Sequence, residues 1–90
     1  MITIYYGQVF KKEYKALVKR DKKLAKKIQK KVEFFAKNPR HPSLRLHKVY
    51  SSKIGEAFSF WIKGDLRILF RFKGKNKVIF YRIGSHKQVY

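Results

Sequence analysis

The sequence predicts an α+β fold in the order β-α-α-β-β-β, with a helical hairpin packed on one face of an antiparallel sheet. Three observations predict it. A short β-branched and aromatic segment opens the chain, two stretches with apolar residues at helical spacing follow, and the second half alternates apolar with polar residues. The 90 residues suffice for one compact core, so we expect a single domain over residues 1–90.

The first half of the chain holds one strand and both helices. Ile2 to Tyr6 is β-branched and aromatic and ends at Gly7, which predicts a short strand. Asp21 stands where a second helix would begin, as an N-cap, and Asn38-Pro39 ends that helix. Because few residues separate the two helices, they form an antiparallel hairpin. The helical stripes comprise Phe10, Tyr14, Leu17 and Val18, then Leu24, Ala25, Ile28, Val32, Phe35 and Ala36.

The second half has the alternation of strands. Apolar residues occupy every second position from Phe58 to Ile62 and again from Leu66 to Phe72, with a turn at residues 63–65 between them. One face of each strand therefore packs on a core. The remaining segments are a turn at residues 74–76, a strand from Val78 to Ile83, and a weaker strand candidate from Leu44 to Tyr50.

The charge balance indicates a polyanionic partner. The chain has 24 Lys and Arg against 5 Asp and Glu, a formal net charge of +19, and such self-repulsion favours binding to nucleic acid. The alternative is a lysine-rich surface that serves solubility. The absence of cysteine excludes disulfides and thiolate metal sites. No apolar run approaches the roughly 20 residues that span a bilayer, so we expect a cytoplasmic protein with no membrane partner.

Lysines recur three to four residues apart along the second predicted helix and form a cationic stripe on its outer side. RNA phosphates are the expected ligand of this stripe. The alternative is a solvated helix face, since helix exteriors are often rich in lysine. The lysines predicted to bind RNA are Lys23, Lys26, Lys27, Lys30 and Lys31.

Two arginines share one face of the strand that begins at Leu66. Even-numbered residues of this strand are apolar, whereas Arg67, Arg71 and Lys73 occupy odd positions. If the even face meets the helices, the arginines lie on the open side of the sheet, where guanidinium groups can bind phosphates. With five acidic residues in the chain, a salt bridge is a weaker alternative than usual.

The three histidines, His41, His47 and His86, lack the i, i+4 spacing of a helical zinc site, and acidic ligands are scarce. We therefore expect no metal and no cofactor. Metal-free RNA cleavage remains chemically accessible. It needs a base for the 2′-hydroxyl proton, cations for the phosphorane and an acid for the leaving 5′-oxygen, and Arg, Lys, His and Tyr can supply these.

The element order, the end of the helical hairpin at Asn38-Pro39 and three further segments together match a known family. The segments are Leu44-Arg45-Leu46-His47-Lys48-Val49, Asp65-Leu66-Arg67-Ile68-Leu69-Phe70, and the ending from Ile83 to Tyr90. In these features the chain resembles the RelE/ParE superfamily of toxins over nearly its whole length, and in particular the RelE, YoeB and YafQ group of mRNA interferases. The resemblance implies that Arg67 acts on the scissile phosphate, that His86 is a general acid or base, and that Tyr90 stacks on a base.

The resemblance leaves the general base open. Phe58 and Phe60 stand where RelE has lysines, and Trp61 stands where YafQ has a histidine. Further candidates for catalysis or RNA binding are His47, Lys48, Asp65, Arg71 and Arg82. The implied partners are a cognate acidic antitoxin, the ribosome with its rRNA, and mRNA in the A site.

Two other functions remain. A toxin of the ParE branch shares the fold and the antitoxin partnership but poisons DNA gyrase without cutting RNA, and it would have no chemical need of His86 and Tyr90. A non-catalytic RNA-binding module would use its aromatics as stacking platforms. The presence or absence of RNA cleavage separates the three functions.

Overall fold

The computed structural model describes residues 1–52 and 54–85, and within these ranges it contains five strands and two α-helices. Their order is β1, α1, α2, β2, β3, β4, β5, with one short 3-10 turn at Pro42–Leu44 before β2. The bounds are β1 Thr3–Tyr6, α1 Gln8–Arg20, α2 Lys22–Lys37, β2 His47–Ser51, β3 Gly55–Lys63, β4 Leu66–Gly74 and β5 Lys77–Ser85.

Asp21 alone separates the two helices. Its backbone N–H donates to Leu17 O at 3.0 Å and so closes α1, while its carboxylate accepts from the backbone N–H of Lys23 at 3.1 Å and so caps α2. At the other end of α2, the Asn38 N–H donates to Phe34 O at 2.9 Å, and Pro39 follows. Both predicted helix boundaries are confirmed.

The predicted α+β fold is confirmed, and its sheet is mixed rather than antiparallel throughout. The strand order is β1-β5-β4-β3-β2, with antiparallel pairs throughout except that β1 runs parallel to β5. Residues Thr3 and Tyr6 pair with Lys77 and Phe80. Periodicity along a strand reveals which residues face the core but carries no information on the direction of a partner more than 70 residues away in sequence.

The weak strand candidate is a strand, so the predicted order lacked one element. It begins at His47 rather than at Leu44. Leu44 ends the 3-10 turn and is fully buried in the core, and Arg45 follows with a left-handed backbone at φ 50°. The chain cannot enter an extended ladder until it has passed this residue.

The main core lies between the helices and one face of the sheet, and Phe35 of α2 is at its centre. The Phe35 ring stacks on Phe60 of β3 with centroids 4.4 Å apart, and meets Phe70 of β4 edge-on at 4.9 Å. Phe80 of β5 lies 5.9 Å away. One side chain thus joins α2 to the three central strands. The other buried members include Phe10, Leu24, Ile28, Leu44, Ile62, Ile68, Val78 and Ile83.

A second, smaller apolar cluster lies on the opposite face of the sheet. Leu69 of β4 and Ala57 of β3 are each 1% exposed, and Val49 and Ile54 pack against them. The alternation of β4 places Leu69 on the same face as Arg67, so this face is not purely cationic. It has an apolar floor.

Phe35→Ala should destabilise the fold by about 3–5 kcal/mol, because it leaves a cavity where four aromatic rings meet. The adjacent Phe34 is 38% exposed and serves as the matched control. Urea unfolding followed by circular dichroism measures both. A loss for Phe34→Ala equal to that for Phe35→Ala would contradict the central position of Phe35.

Candidate functional site

The candidate site is the face of the sheet turned away from α1 and α2, called here the open face. Residues directly paired across strands project from the same face. One row of the open face is therefore Trp61, Arg67 and Gly84, and the next is His47, Ser59, Leu69 and Arg82. Arg71 lies two residues beyond Leu69 on the same strand. The predicted sharing of one open face by Arg67 and Arg71 is confirmed.

Arg67 is held between two strands and is partly buried. Its Nε is shielded from solvent and finds no hydrogen-bond partner among the described residues. A buried donor without an acceptor costs about 1–3 kcal/mol, so the fold carries this penalty at Arg67. Its partner on β5 is the buried Gly84.

His47 lies on β2, two strands from Arg67 across the row of Ser59. His47 is in register with Leu69, so two strand spacings and two residues along the strand separate it from Arg67, about 12 Å between backbones. A group bound between the two side chains could contact both. The ring Nδ1 of His47 lies 3.3 Å from the carbonyl oxygen of Arg45. Ser59, its partner on β3, is fully buried.

Trp61 has two cations near its ring, which the sequence reasoning missed. The Arg45 Cζ lies 4.7 Å from the ring centroid and the Lys31 Nζ lies 4.8 Å from it, both within cation–π range. The indole N–H donates to Gly64 O at 2.8 Å. Because β2 begins opposite Ser59, no strand of the described chain pairs with the β2 edge of β3 at Trp61. Lys31 can therefore reach the Trp61 ring from α2. Lys31 is thus partly buried, unlike its neighbours in the stripe.

Three predicted site residues lie away from the centre of the open face. Lys48 pairs with Phe58, whose ring packs on the main core, so Lys48 projects on the helix side and bonds Glu56 at 2.5 Å. Asp65 is exposed in the β3–β4 turn, two residues before Arg67. Arg71 is exposed, and its Nη1 donates to Ile54 O at 3.5 Å.

Arg82 is bound to Glu13 of α1. Its Nε and Nη2 donate to the carboxylate at 2.7–3.1 Å, and this hydrogen bond raises the pKa of Arg82. The Glu13 Oε1 also accepts from the backbone N–H of Ile83 at 3.1 Å. Beyond Phe80 the outer edge of β5 is no longer paired with β1, so Glu13 takes the place of a strand there. The structure thus gives Arg82 a role in the fold, and the predicted RNA contact is not needed to explain it.

The lysine stripe lies on the other side of the molecule from the open face. Lys23, Lys26, Lys27 and Lys30 are exposed on α2, whose buried residues face the sheet. A helix layer about 10–12 Å across and the sheet itself separate these lysines from Arg67. A short RNA bound at Arg67 would not reach them.

An apolar groove of about 500 Å³ runs between α1 and α2, again on the helix side. Phe10 and Tyr14 line it from α1, and Ile28 and Val32 from α2. Tyr6 lies at one end, where burial, with a smaller contribution from Tyr14, raises its pKa. The groove contains none of the predicted catalytic residues.

His86 and Tyr90 lie outside the described residues. Within the described ranges, no three His, Cys, Asp or Glu side chains are grouped as a metal site would need. None of the helices described is long and apolar enough to cross a bilayer.

Glu13→Ala should destabilise the protein by about 1–3 kcal/mol, because it leaves the Arg82 guanidinium and the Ile83 N–H without their acceptor. Glu33→Ala is the matched control, since it removes the same charge from an exposed position of α2. The comparison is made by denaturant unfolding. If the two variants lose equal stability, the carboxylate of Glu13 does not hold the edge of β5.

Comparison with known proteins identifies the family. The family model described as ParE toxin of type II toxin-antitoxin system, parDE, matches residues 4–90. No curated protein matches the chain. Among solved structures, a metal-bound toxin from Helicobacter pylori is 28% identical, with a TM-score of 0.78 over 100% of both chains.

Two further structures share the fold at lower identity. YafQ in the E. coli DinJ-YafQ complex is 21% identical, with a TM-score of 0.78 over 100% of this chain and 99% of that one. A YoeB/ParE toxin from Agrobacterium tumefaciens is 13% identical, with a TM-score of 0.76 over 94% and 99%. The resemblance drawn from the sequence is confirmed. The chain belongs to the ParE toxin family of type II toxin-antitoxin systems, within the RelE/ParE superfamily.

Proposed function

We propose that this toxin is a ribosome-dependent endoribonuclease that cleaves mRNA without a metal ion and so stops translation. The observation that carries the proposal is the position of Arg67, whose buried Nε has no hydrogen-bond partner among the described residues, on a face otherwise lined by Trp61, His47 and Arg71. A phosphodiester bound by the partly exposed Arg67 side chain would be polarised by it.

In the proposed reaction, a base removes the proton of a 2′-hydroxyl and the oxygen attacks the adjacent phosphorus. Arg67 donates two parallel hydrogen bonds to the phosphorane oxygens. His86 protonates the leaving 5′-oxygen or acts as the base, and Tyr90 stacks on a neighbouring nucleobase. Both follow β5, whose last residue, Ser85, pairs with Leu66 beside Arg67. The upstream product then ends in a 2′,3′-cyclic phosphate.

Two residues compete for the second proton-transfer role. His47 lies on the open face, whereas Asp65 lies in the exposed turn that precedes Arg67. We favour His47, because it shares the face of Arg67. Lys48 is unsuited to this role, since it projects from the other face.

Delivery to the ribosome explains the charge on the far side of the molecule. A ribosomal A site surrounds a small protein with rRNA, so the open face can meet mRNA while the stripe on α2 meets rRNA phosphates. The net charge of +19 then serves binding on several sides. We further propose a cognate acidic antitoxin and action in the cytoplasm, as ribosome attack requires. YafQ has been solved in complex with DinJ.

The second candidate is inhibition of DNA gyrase, which the match to the ParE family model favours. It gives no chemical use to the unpaired Nε of Arg67. Simple RNA binding, the third candidate, would use the cations of the open face but predicts no cleavage. The three functions therefore predict different effects of a conservative substitution at Arg67 on RNA cleavage.

Arg67→Lys should lower single-turnover cleavage of mRNA on ribosomes by about 10- to 100-fold, because an ammonium cannot donate the two parallel hydrogen bonds of a guanidinium. Arg20→Lys, at the exposed end of α1, is the matched control and should cleave as wild type. Primer extension counts the cuts. Wild-type rates for Arg67→Lys would show that positive charge alone is sufficient there.

Replacing Lys23, Lys26 and Lys30 with Gln should flatten the dependence of log affinity for ribosomes on log salt by about two to three units, since each lost phosphate contact removes nearly one. The cleavage rate at saturating ribosomes should stay unchanged, because only binding is affected. A triple Gln variant at Lys12, Lys15 and Lys19 of α1 is the control for net charge. Equal slopes for both variants would leave the α2 lysines as a solvated face.

A further inference from the structure

A recess of about 360 Å³ opens on the open face, between the start of α1 and the strands β4 and β5. Leu69 forms its floor together with Ile54, which packs against it. Val9, which is 51% exposed, and Tyr81, which is half-buried, line its sides. The volume falls in the range of small-ligand pockets, about 300–1,000 Å³.

Two contacts border the recess. The Gly7 N–H donates to Phe80 O at 2.9 Å, and a Cβ at residue 7 would lie 3.0 Å from that oxygen. Glycine therefore lets α1 start close against β5. On the other side, the exposed Arg71 Nη1 lies 3.5 Å from the carbonyl oxygen of Ile54.

Cations surround this apolar recess. Arg67 and Arg71 lie two residues to either side of Leu69 on the same face of β4, about 7 Å away along the strand. Arg82 lines the third side, with its guanidinium held by Glu13. An inorganic anion would have no use for the apolar floor, and a purely apolar ligand would have none for the guanidinium groups of Arg67 and Arg71 beside it. A nucleotide uses both.

We infer that this recess is a nucleobase pocket, which receives one unstacked base of the RNA strand whose phosphate lies on Arg67. The base lies over Leu69 and against the Tyr81 ring, in the stacking mode by which proteins read single-stranded RNA. Gln8, exposed where α1 begins, can hydrogen-bond the edge of the base and so favour some bases over others. This inference rests on the proposed function and adds a source of cleavage-site preference to it.

The test compares wild type with a variant whose pocket is filled by a larger side chain. Binding of the four nucleoside 5′-monophosphates and of inorganic phosphate is measured by NMR titration at low salt. Wild type should bind at least one nucleotide about tenfold more tightly than inorganic phosphate. Val9→Trp should abolish that difference, because the indole occupies the recess from its exposed rim. Tyr50→Trp, at a residue 79% exposed on edge strand β2, is the matched control and should preserve the difference.

A second variant separates stacking from simple filling. Tyr81→Leu keeps an apolar wall but removes the aromatic face, and it should weaken nucleotide binding at least about fivefold while leaving phosphate binding unchanged. Nucleotides that bind no better than phosphate to wild type, or equally well to Val9→Trp, overturn the pocket. Loss of antitoxin binding by Val9→Trp with nucleotide binding intact would make the recess a protein-docking site and likewise overturn it.

Cleavage on ribosomes distinguishes the failure of this inference from the failure of the proposed function. If wild type cuts mRNA and Val9→Trp cuts at the same sites with the same preference, the pocket is wrong and the nuclease stands. If wild type cuts no mRNA, the proposed function is wrong, and the nucleotide titration still decides whether the recess binds a base. Relaxed site preference in Val9→Trp supports both.

Discussion

The stack of Phe35 on Phe60 is the contact on which the rest of the structure depends. It fixes which face of the sheet is buried, since Phe60, Phe70 and Phe80 all turn toward the same helix side chain. Strand alternation then leaves no freedom for the intervening residues. Arg67 and Arg71 are on the open face because the residues adjacent to them in β4 pack in the core or against it.

The open face combines properties that strand sequences seldom bring together. Its cations are spaced along β4, but Leu69 between them is as buried as a core residue and belongs to a second apolar cluster. Glu13 is bound by Arg82 and Glu56 by Lys48. These two carboxylates are engaged elsewhere, and the Arg67 Nε has no hydrogen-bond partner among the described residues.

Features that depend on neighbours in the chain could be predicted from the sequence, whereas pairing between distant segments could not. The Asp21 cap, the end of α2 at Asn38 and the alternation of β4 depend on neighbours in the chain, and all three were predicted. The parallel pairing of β1 with β5 depends on residues at opposite ends of the chain. The ion pair joins Glu13 and Arg82, which are 69 residues apart in sequence. Its one signal in the sequence is that Glu13 is a lone acidic residue in a basic helix.

The same distinction applies to the site. Arg67 could be assigned to an exposed face from alternation and to a phosphate from the family motif, whereas its unpaired Nε and the recess over Leu69 emerge only from packing. Lys31 illustrates the converse, because helical spacing placed it with the phosphate-binding lysines and packing places it on Trp61. Roles assigned to His86 and Tyr90 continue to rest on the resemblance.

The central claim is that the open face cuts RNA by attack of a 2′-hydroxyl, and the chemical nature of the cut ends tests it most directly. Wild-type protein is added to translating ribosomes, and the 3′ ends of the released mRNA fragments are identified by mass spectrometry. We predict cuts within the A-site codon and upstream fragments that end in 2′,3′-cyclic phosphate. Intact mRNA, together with protein-dependent DNA breaks in a parallel gyrase assay, would contradict the account and make this chain a gyrase toxin.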